Sequence, residues 1–176
     1  MHMDIEVYED FISEDDALTL LAFTREKEKF EYFAPDHRYR FVNKVESPVI
    51  ELVYKYGAKF QELAQPDKPT DISDYILSIY EVGAFMNVHS DNSNLSHGNC
   101  NFTGVIYLND DYQGAEIFFP KNDVTIKPKR LSAVAFNGNY YHGVHPVTDG
   151  VRYILGIGFT DNPDFFKGGK SRKYLL

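Results

Sequence analysis

Four residues of this sequence have the types and spacing that metal chemistry requires. His89 and Asp91 are two apart, His142 follows much later in Tyr-Tyr-His-Gly-Val-His-Pro, and Arg152 comes ten residues after His142. Successive side chains of a strand point to opposite faces, so His89 and Asp91 on one strand project to the same side. The third ligand has two candidates, His142 and His145, whose spacing of three puts them on opposite faces of one strand. His142 is preferred, because a turn at Thr148-Asp149-Gly150 separates it from Arg152 and places both near the same end of neighbouring strands. Two histidines and one carboxylate offer Fe(II) a triangular face of protein ligands and leave the opposite positions open for substrates. A buried arginine beside such a centre can hold a dicarboxylate through a two-pronged, charge-assisted pair. A histidine-x-aspartate alone is common by chance; the later histidine and the arginine in register make the set specific.

Strands must carry these residues to one place, and from residue 75 onward the sequence supplies them. Short apolar segments at 75–81, 85–90, 101–108, 115–119, 124–127, 132–136, 140–146 and 152–160 are separated by turn formers such as Val82-Gly83, Asn122-Asp123 and Asn137-Gly138-Asn139. Eight strands at this spacing predict a double-sheet jelly roll. Ahead of them, residues 4–12 begin with the alternation of a short strand. A helix over about 14–29 follows, with Ser13 as N-cap and Glu14, Asp15 and Asp16 in its first turn. A second helix opens at Ser47-Pro48, with proline at its first position, and stops at Gln65-Pro66. Residues 30–44, with His37, Arg38 and Arg40, read first as an exposed strand pair packed by its own Tyr and Phe side chains, with a substrate-facing loop or hairpin as the alternative. The expected organisation is one mainly β domain with flanking α-helices: a helical support region at 1–71, a jelly-roll core at 72–161 and a basic tail at 162–176.

Composition narrows the partners. A chain of 176 residues is one domain by size, and 13 Tyr with 14 Phe favour β structure. The net charge of -8 argues against a general electrostatic grip on nucleic acid, so no nucleic-acid partner is expected. No stretch approaches the roughly 20 apolar residues of a membrane span, so no membrane partner is expected either. Cys100 is the only cysteine, which removes any internal disulfide and makes a reducing compartment the simplest inference: the cytoplasm of a bacterium or a virus-infected host cell. Cys100 itself reads as a small packed residue, and His97, in the polar stretch 92–99, as a solvated loop histidine. Met1-His2-Met3 reads as a start followed by a cloning remnant, with no role for His2.

Several segments together carry a family resemblance. Tyr80-Glu-Val-Gly83 through His89-Ser-Asp91, then Thr103-Gly-Val-Ile-Tyr107, Gly114-Ala-Glu116-Ile-Phe-Phe119-Pro, and His142-Gly-Val-His-Pro146 through Arg152 resemble the 2-oxoglutarate- and Fe(II)-dependent oxygenases of the prolyl 4-hydroxylase type. The resemblance covers residues 75–160 and implies a double-stranded β-helix, which is the jelly roll predicted above. It implies Fe(II) held by His89, Asp91 and His142, 2-oxoglutarate paired with Arg152, O2 as cosubstrate and ascorbate as an accompanying reductant. Tyr80 and Tyr107 match positions that some members place beside the cosubstrate, and Thr103 shares the face of Tyr107. Two departures affect local backbone shape: the usual paired glycine is Gly114-Ala115 here, and Leu131 stands where many members have glycine.

The chemistry so implied is hydroxylation of a C–H bond, coupled to conversion of 2-oxoglutarate to succinate and CO2, with a prolyl residue of a peptide or protein as substrate. Specificity is expected in the loops at 30–44 and 91–101. The alternatives are the same chemistry on a free amino acid or small metabolite, or a non-catalytic jelly-roll module that binds a metal or ligand. A cupin-like hydrolase or isomerase would recruit further ligands, with Glu116 and His145 the residues to watch.

Overall fold

The computed structural model describes residues 4–42, 44, 46–65, 70–92 and 100–162. Two sheets face each other and two helices cover the outside of the larger one. The N-terminal part contributes strands β1 (Glu6–Tyr8), β2 (Glu31–Phe33) and β3 (Arg38–Val42) and helices α1 (Glu14–Phe23) and α2 (Val49–Ala64). The remainder is all strand: β4 (Asp71–Tyr80), β5 (Met86–His89), β6 (Phe102–Tyr107), β7 (Gln113–Gly114), β8 (Ile117–Phe119), β9 (Val124–Ile126), β10 (Ala133–Asn137), β11 (His142–Val144), β12 (Val147–Asp149) and β13 (Arg152–Thr160). The large sheet runs β1-β10-β6-β13-β4-β3-β2, the small one β5-β11-β8-β9, and β12 pairs with β7. All the pairings are antiparallel.

The side-chain alternation of the large sheet explains both hydrophobic clusters. Phe41, Tyr75, Leu77, Ile79, Phe102, Ile106, Ala133, Ala135, Leu155, Ile157 and Phe159 point outward, where they pack with Ala17, Leu20 and Phe23 of α1 and Val53, Tyr56 and Phe60 of α2. Tyr80, Tyr107, Val134, Phe136 and Ile154 point the other way and meet Ile117, Phe119 and Val144 of the small sheet. Helix–sheet contact is closest at Gly104, where an added Cβ would lie 2.4 Å from the Phe60 ring. The inner face, between the sheets, lines a cavity.

Three local expectations are revised. Helix α1 ends at Phe23, short of residue 29, because the next large apolar side chain is Phe30; Thr24 Oγ1 donates to the Leu21 carbonyl at 2.7 Å and the chain turns so that Phe30 packs on Phe23 and Phe41. Pro48 occupies the N-cap of α2, not its first helical position, after a cis Ser47–Pro48 peptide. Residues 31–33 and 38–42 form a hairpin as anticipated, but β3 pairs with β4 and presents its inner face to the cavity between the sheets. At the two family departures the glycine-like backbone is kept without glycine, since Ala115 and Leu131 adopt φ of 56° and 65°.

Candidate metal centre and cosubstrate pocket

Strand pairing brings the two histidines together. His89 ends β5 and His142 begins β11, the two are register partners, and their ring centroids lie 4.5 Å apart. Asp91 sits in the turn just past β5, so its approach comes from the turn and not from strand alternation alone. Its Oδ1 is 3.2 Å from His89 Nε2 and 3.7 Å from His142 Nε2, and one ligand atom from each residue lies within 4.8 Å of the others.

The surroundings orient these atoms. His89 Nδ1 lies 2.8 Å from the Asn87 carbonyl and His142 Nδ1 3.1 Å from the Tyr140 carbonyl, so each imidazole donates from Nδ1 and turns Nε2 towards Asp91. Thr103 Oγ1 donates to Asp91 Oδ2 at 2.5 Å, leaving Oδ1 facing the histidines. His142 is only 2% exposed, against Phe136 at 4.5 Å between centroids and Phe119 at 5.8 Å. Burial lowers its pKa and favours the neutral, ligating form. Burial works the same way on His89, but the hydrogen bond and charge of Asp91 prevail and raise it. Asp91 is driven down to about 2: burial opposes ionisation, and His89, His142 and Thr103 outweigh it. Two imidazoles and one carboxylate with their outer atoms tied down are the donor set that suits Fe(II) with open positions.

The other candidates fall outside this cluster. His145 is exposed and its ring stacks on Phe118 at 4.3 Å, as its place on the opposite face requires. Glu116 is not part of the metal-binding group found among the described residues. His97 and most of the 91–101 loop lie outside the described residues, as does the tail beyond 162. Cys100 is buried, with its thiol 3.3 Å from Thr103 Oγ1.

Arg152, opposite Tyr80 across β13 and β4, lines the same cavity of about 690 Å³ as His89, Asp91 and His142. It is 1% exposed, and its Nε and Nη1 have no hydrogen-bonding partner. Its guanidinium carbon lies 4.6 Å from the Tyr80 ring centroid and 5.2 Å from that of Tyr107. Burial opposes its charge, but Tyr107, Tyr80 and Tyr112 around it keep it firmly protonated. The hydroxyls of Tyr107 and Tyr112 are also buried without partners, and burial pushes the Tyr107 phenol up to about 12. Two guanidinium nitrogens and two neighbouring hydroxyls without hydrogen-bonding partners give this end of the site polar capacity that an anion would satisfy. Thr103 serves the metal side by holding Asp91; Tyr80 offers its ring to Arg152, while its hydroxyl accepts from Arg38 at 2.8 Å.

Residues 75–159 match the family described as the 2OG-Fe(II) oxygenase superfamily. That match spans 85 of the 176 residues, just under half of the chain. The chain is 35% identical over 69 residues to human prolyl 3-hydroxylase 2, a match covering 35% of the chain and only 10% of that protein's length. Its fold resembles a viral collagen prolyl hydroxylase from Paramecium Bursaria Chlorella virus-1, solved as a 2OG complex (20% identity, TM-score 0.67, 90% of this chain and 96% of the other). It also resembles a prolyl-4-hydroxylase from Pseudomonas putida (16% identity, TM-score 0.71, 92% and 94% covered). The jelly roll thus shares the double-stranded β-helix fold of these two proteins.

Sequence reasoning missed Tyr112 and the cavity-facing arginines of β3. The signal for Tyr112 was a lone aromatic in the polar run Asn109-Asp-Asp-Tyr-Gln-Gly114, a place where nothing but burial explains it. For Arg38 and Arg40 the signal was weaker: alternation with Tyr39 and Phe41 along one strand.

Proposed function

We propose that this protein hydroxylates a C–H bond of a prolyl residue in a peptide or protein, converting 2-oxoglutarate and O2 to succinate and CO2. The observation that carries the reading is Arg152, fully buried with its Nε and Nη1 lacking a hydrogen-bonding partner and lining the cavity that holds the three convergent donors. A module that binds no anion would have no use for that charge, which is costly unless a carboxylate joins it. The prolyl assignment is supported by the names of the relatives at both sequence and fold level. The lone buried Cys100 suits a reducing compartment such as the cytoplasm.

His89, Asp91 and His142 would hold Fe(II), which when bound supplies the oxidative chemistry that couples decarboxylation of the 2-oxo acid to hydroxylation. The carbonyls of Asn87 and Tyr140 and the Thr103 hydroxyl keep the three donor atoms aimed inward. Arg152 would neutralise the distal carboxylate of 2-oxoglutarate, with the Tyr107 and Tyr112 hydroxyls as further donors. Phe119 and Phe136 keep water from the inner side of His142.

An anaerobic titration with Fe(II) and 2-oxoglutarate tests this directly. The visible metal-to-ligand charge-transfer band is expected in the wild type and in His145→Ala and is expected to disappear in His142→Ala. A folded wild-type protein without the band, or a band lost only in His145→Ala, overturns the assignment. Succinate release with blocked prolyl peptides against free L-proline then separates a peptide hydroxylase from an enzyme of free amino acids.

A further inference from the structure

The inner face of the large sheet carries two more arginines that the iron and cosubstrate chemistry leaves unused. Arg38 and Arg40 alternate with Tyr39 and Phe41 along β3, and both line the cavity. Arg38 is fully engaged: Nε donates to Asp36 Oδ2 at 2.9 Å, and Nη1 donates to the Tyr80 hydroxyl at 2.8 Å and to Ser78 Oγ at 3.3 Å. Arg40 differs. Its guanidinium carbon lies 3.6 Å from the Phe33 ring centroid, and its Nε is sealed from solvent without a hydrogen-bonding partner. Burial and the neighbouring Arg38 charge both weigh against its protonated form, a penalty that an arriving anion would relieve.

The two cationic ends of the cavity are different places. Arg152 lies at the closed end with the buried Tyr107 and Tyr112, whereas Arg40 lies towards the mouth, half-buried beside Phe33 and directly across the hairpin from the exposed Glu31. The cavity volume of about 690 Å³ is ample for a second ligand besides a five-carbon diacid.

We propose that Arg40 is the specificity residue for the substrate and that it recognises a carboxylate carried close to the C–H bond to be hydroxylated, with Arg38 as its fixed positive neighbour. This rests on the oxygenase reading above. In a peptide substrate the carboxylate is an acidic side chain flanking the target prolyl residue; in a free amino acid or a chain end it is the α-carboxylate. Asp36 is held by Arg38 and reaches Arg40 only through its charge. Glu31 is the resident carboxylate nearest in register, and a substrate anion must work against its repulsion. With a net charge of -8 the chain does not attract anions from a distance, so the preference resides in the dissociation rate.

The test is anaerobic binding to the Fe(II)- and 2-oxoglutarate-loaded protein, read by competition against a fluorescein-labelled peptide. The competitors are acetylated and amidated Ser-Pro-Asp-Ser, its Ser-Pro-Asn-Ser counterpart, Gly-Ser-Pro with a free carboxylate, and L-proline. Expected is tighter binding of a carboxylate-bearing competitor than of the neutral one, a loss of about tenfold for that competitor in Arg40→Gln, and little change for the neutral peptide. Arg40→Lys should restore part of the loss, and Glu31→Gln should tighten carboxylate binding about two- to threefold. Whether the aspartyl peptide or the free-carboxylate competitors show this dependence identifies the source of the anion. Equal binding of all competitors, or equal losses for charged and neutral ones in Arg40→Gln, overturns the proposal. The charge-transfer band recorded on the same samples separates the two readings: a band without Arg40 dependence removes only the carboxylate subsite, whereas no band in the wild type removes the oxygenase reading itself.

Discussion

Arg152 pays a structural cost that only a ligand explains. A guanidinium sealed in the protein with two nitrogens unsatisfied destabilises the empty fold, whereas an apolar replacement of similar length fills the space without that penalty. Arg152→Met should therefore raise the stability of the cosubstrate-free protein by about 1–4 kcal/mol. The same change should weaken 2-oxoglutarate binding by about 2–5 kcal/mol, since it removes one partner of a buried charge pair. Iron binding should be nearly intact, because Arg152 is not one of the three convergent donors. Thermal melts with and without 2-oxoglutarate, together with Fe(II) titration, check all three; loss of iron in parallel with 2-oxoglutarate in a folded variant would refute this division of labour.

The elements that hold the site are short strands whose rigidity comes from their neighbours. Thr103 and Tyr107 on β6 face the cavity, while Phe102 and Ile106 on the same strand are pressed against α2. Gly104, between them, is the point where the Phe60 ring lies against the strand. Gly104→Ala should cost about 1–3 kcal/mol, the usual penalty for an added methyl group in a filled core. In a Phe60→Leu background the same substitution should cost clearly less, because the clash is removed, and a double-mutant cycle from chemical denaturation measures the difference. Additive effects would mean that the helix and β6 are not in the tight contact described.

The whole molecule is more interleaved than a helical support followed by a barrel. Strands β1, β2 and β3, all from the first 71 residues, lie at the two edges of the large sheet, and α1 and α2 cover its outer face. A fragment of residues 72–162 would expose Tyr75, Leu77, Ile79, Phe102, Leu155 and Phe159 to water. It should show no cooperative thermal transition and should bind a hydrophobic dye strongly. A cooperative melt of that fragment would show that the jelly roll folds without its N-terminal cover. The β2–β3 hairpin also supplies Arg38 and Arg40 to the cavity, so specificity and fold share the same N-terminal segment.

Much of this architecture was determined by local pattern. Turn residues and alternation placed eight of the ten strands from β4 to β13 within a few residues of those found, leaving out the short β7 and β12, and the family motifs singled out His89, Asp91, His142 and Arg152, which line one cavity. Those features are readable because a strand's period of two and a turn's backbone demands act within a few residues. What tertiary structure decided involves partners distant in sequence. Tyr112 comes close to Arg152 from the segment before β7, Asp91 is aimed by Thr103 twelve residues later, and Arg40 enters the cavity because β3 pairs with β4 across an intervening helix. Whether a strand's polar face meets solvent or a cavity depends on what packs opposite it, and a period of two looks the same in both cases.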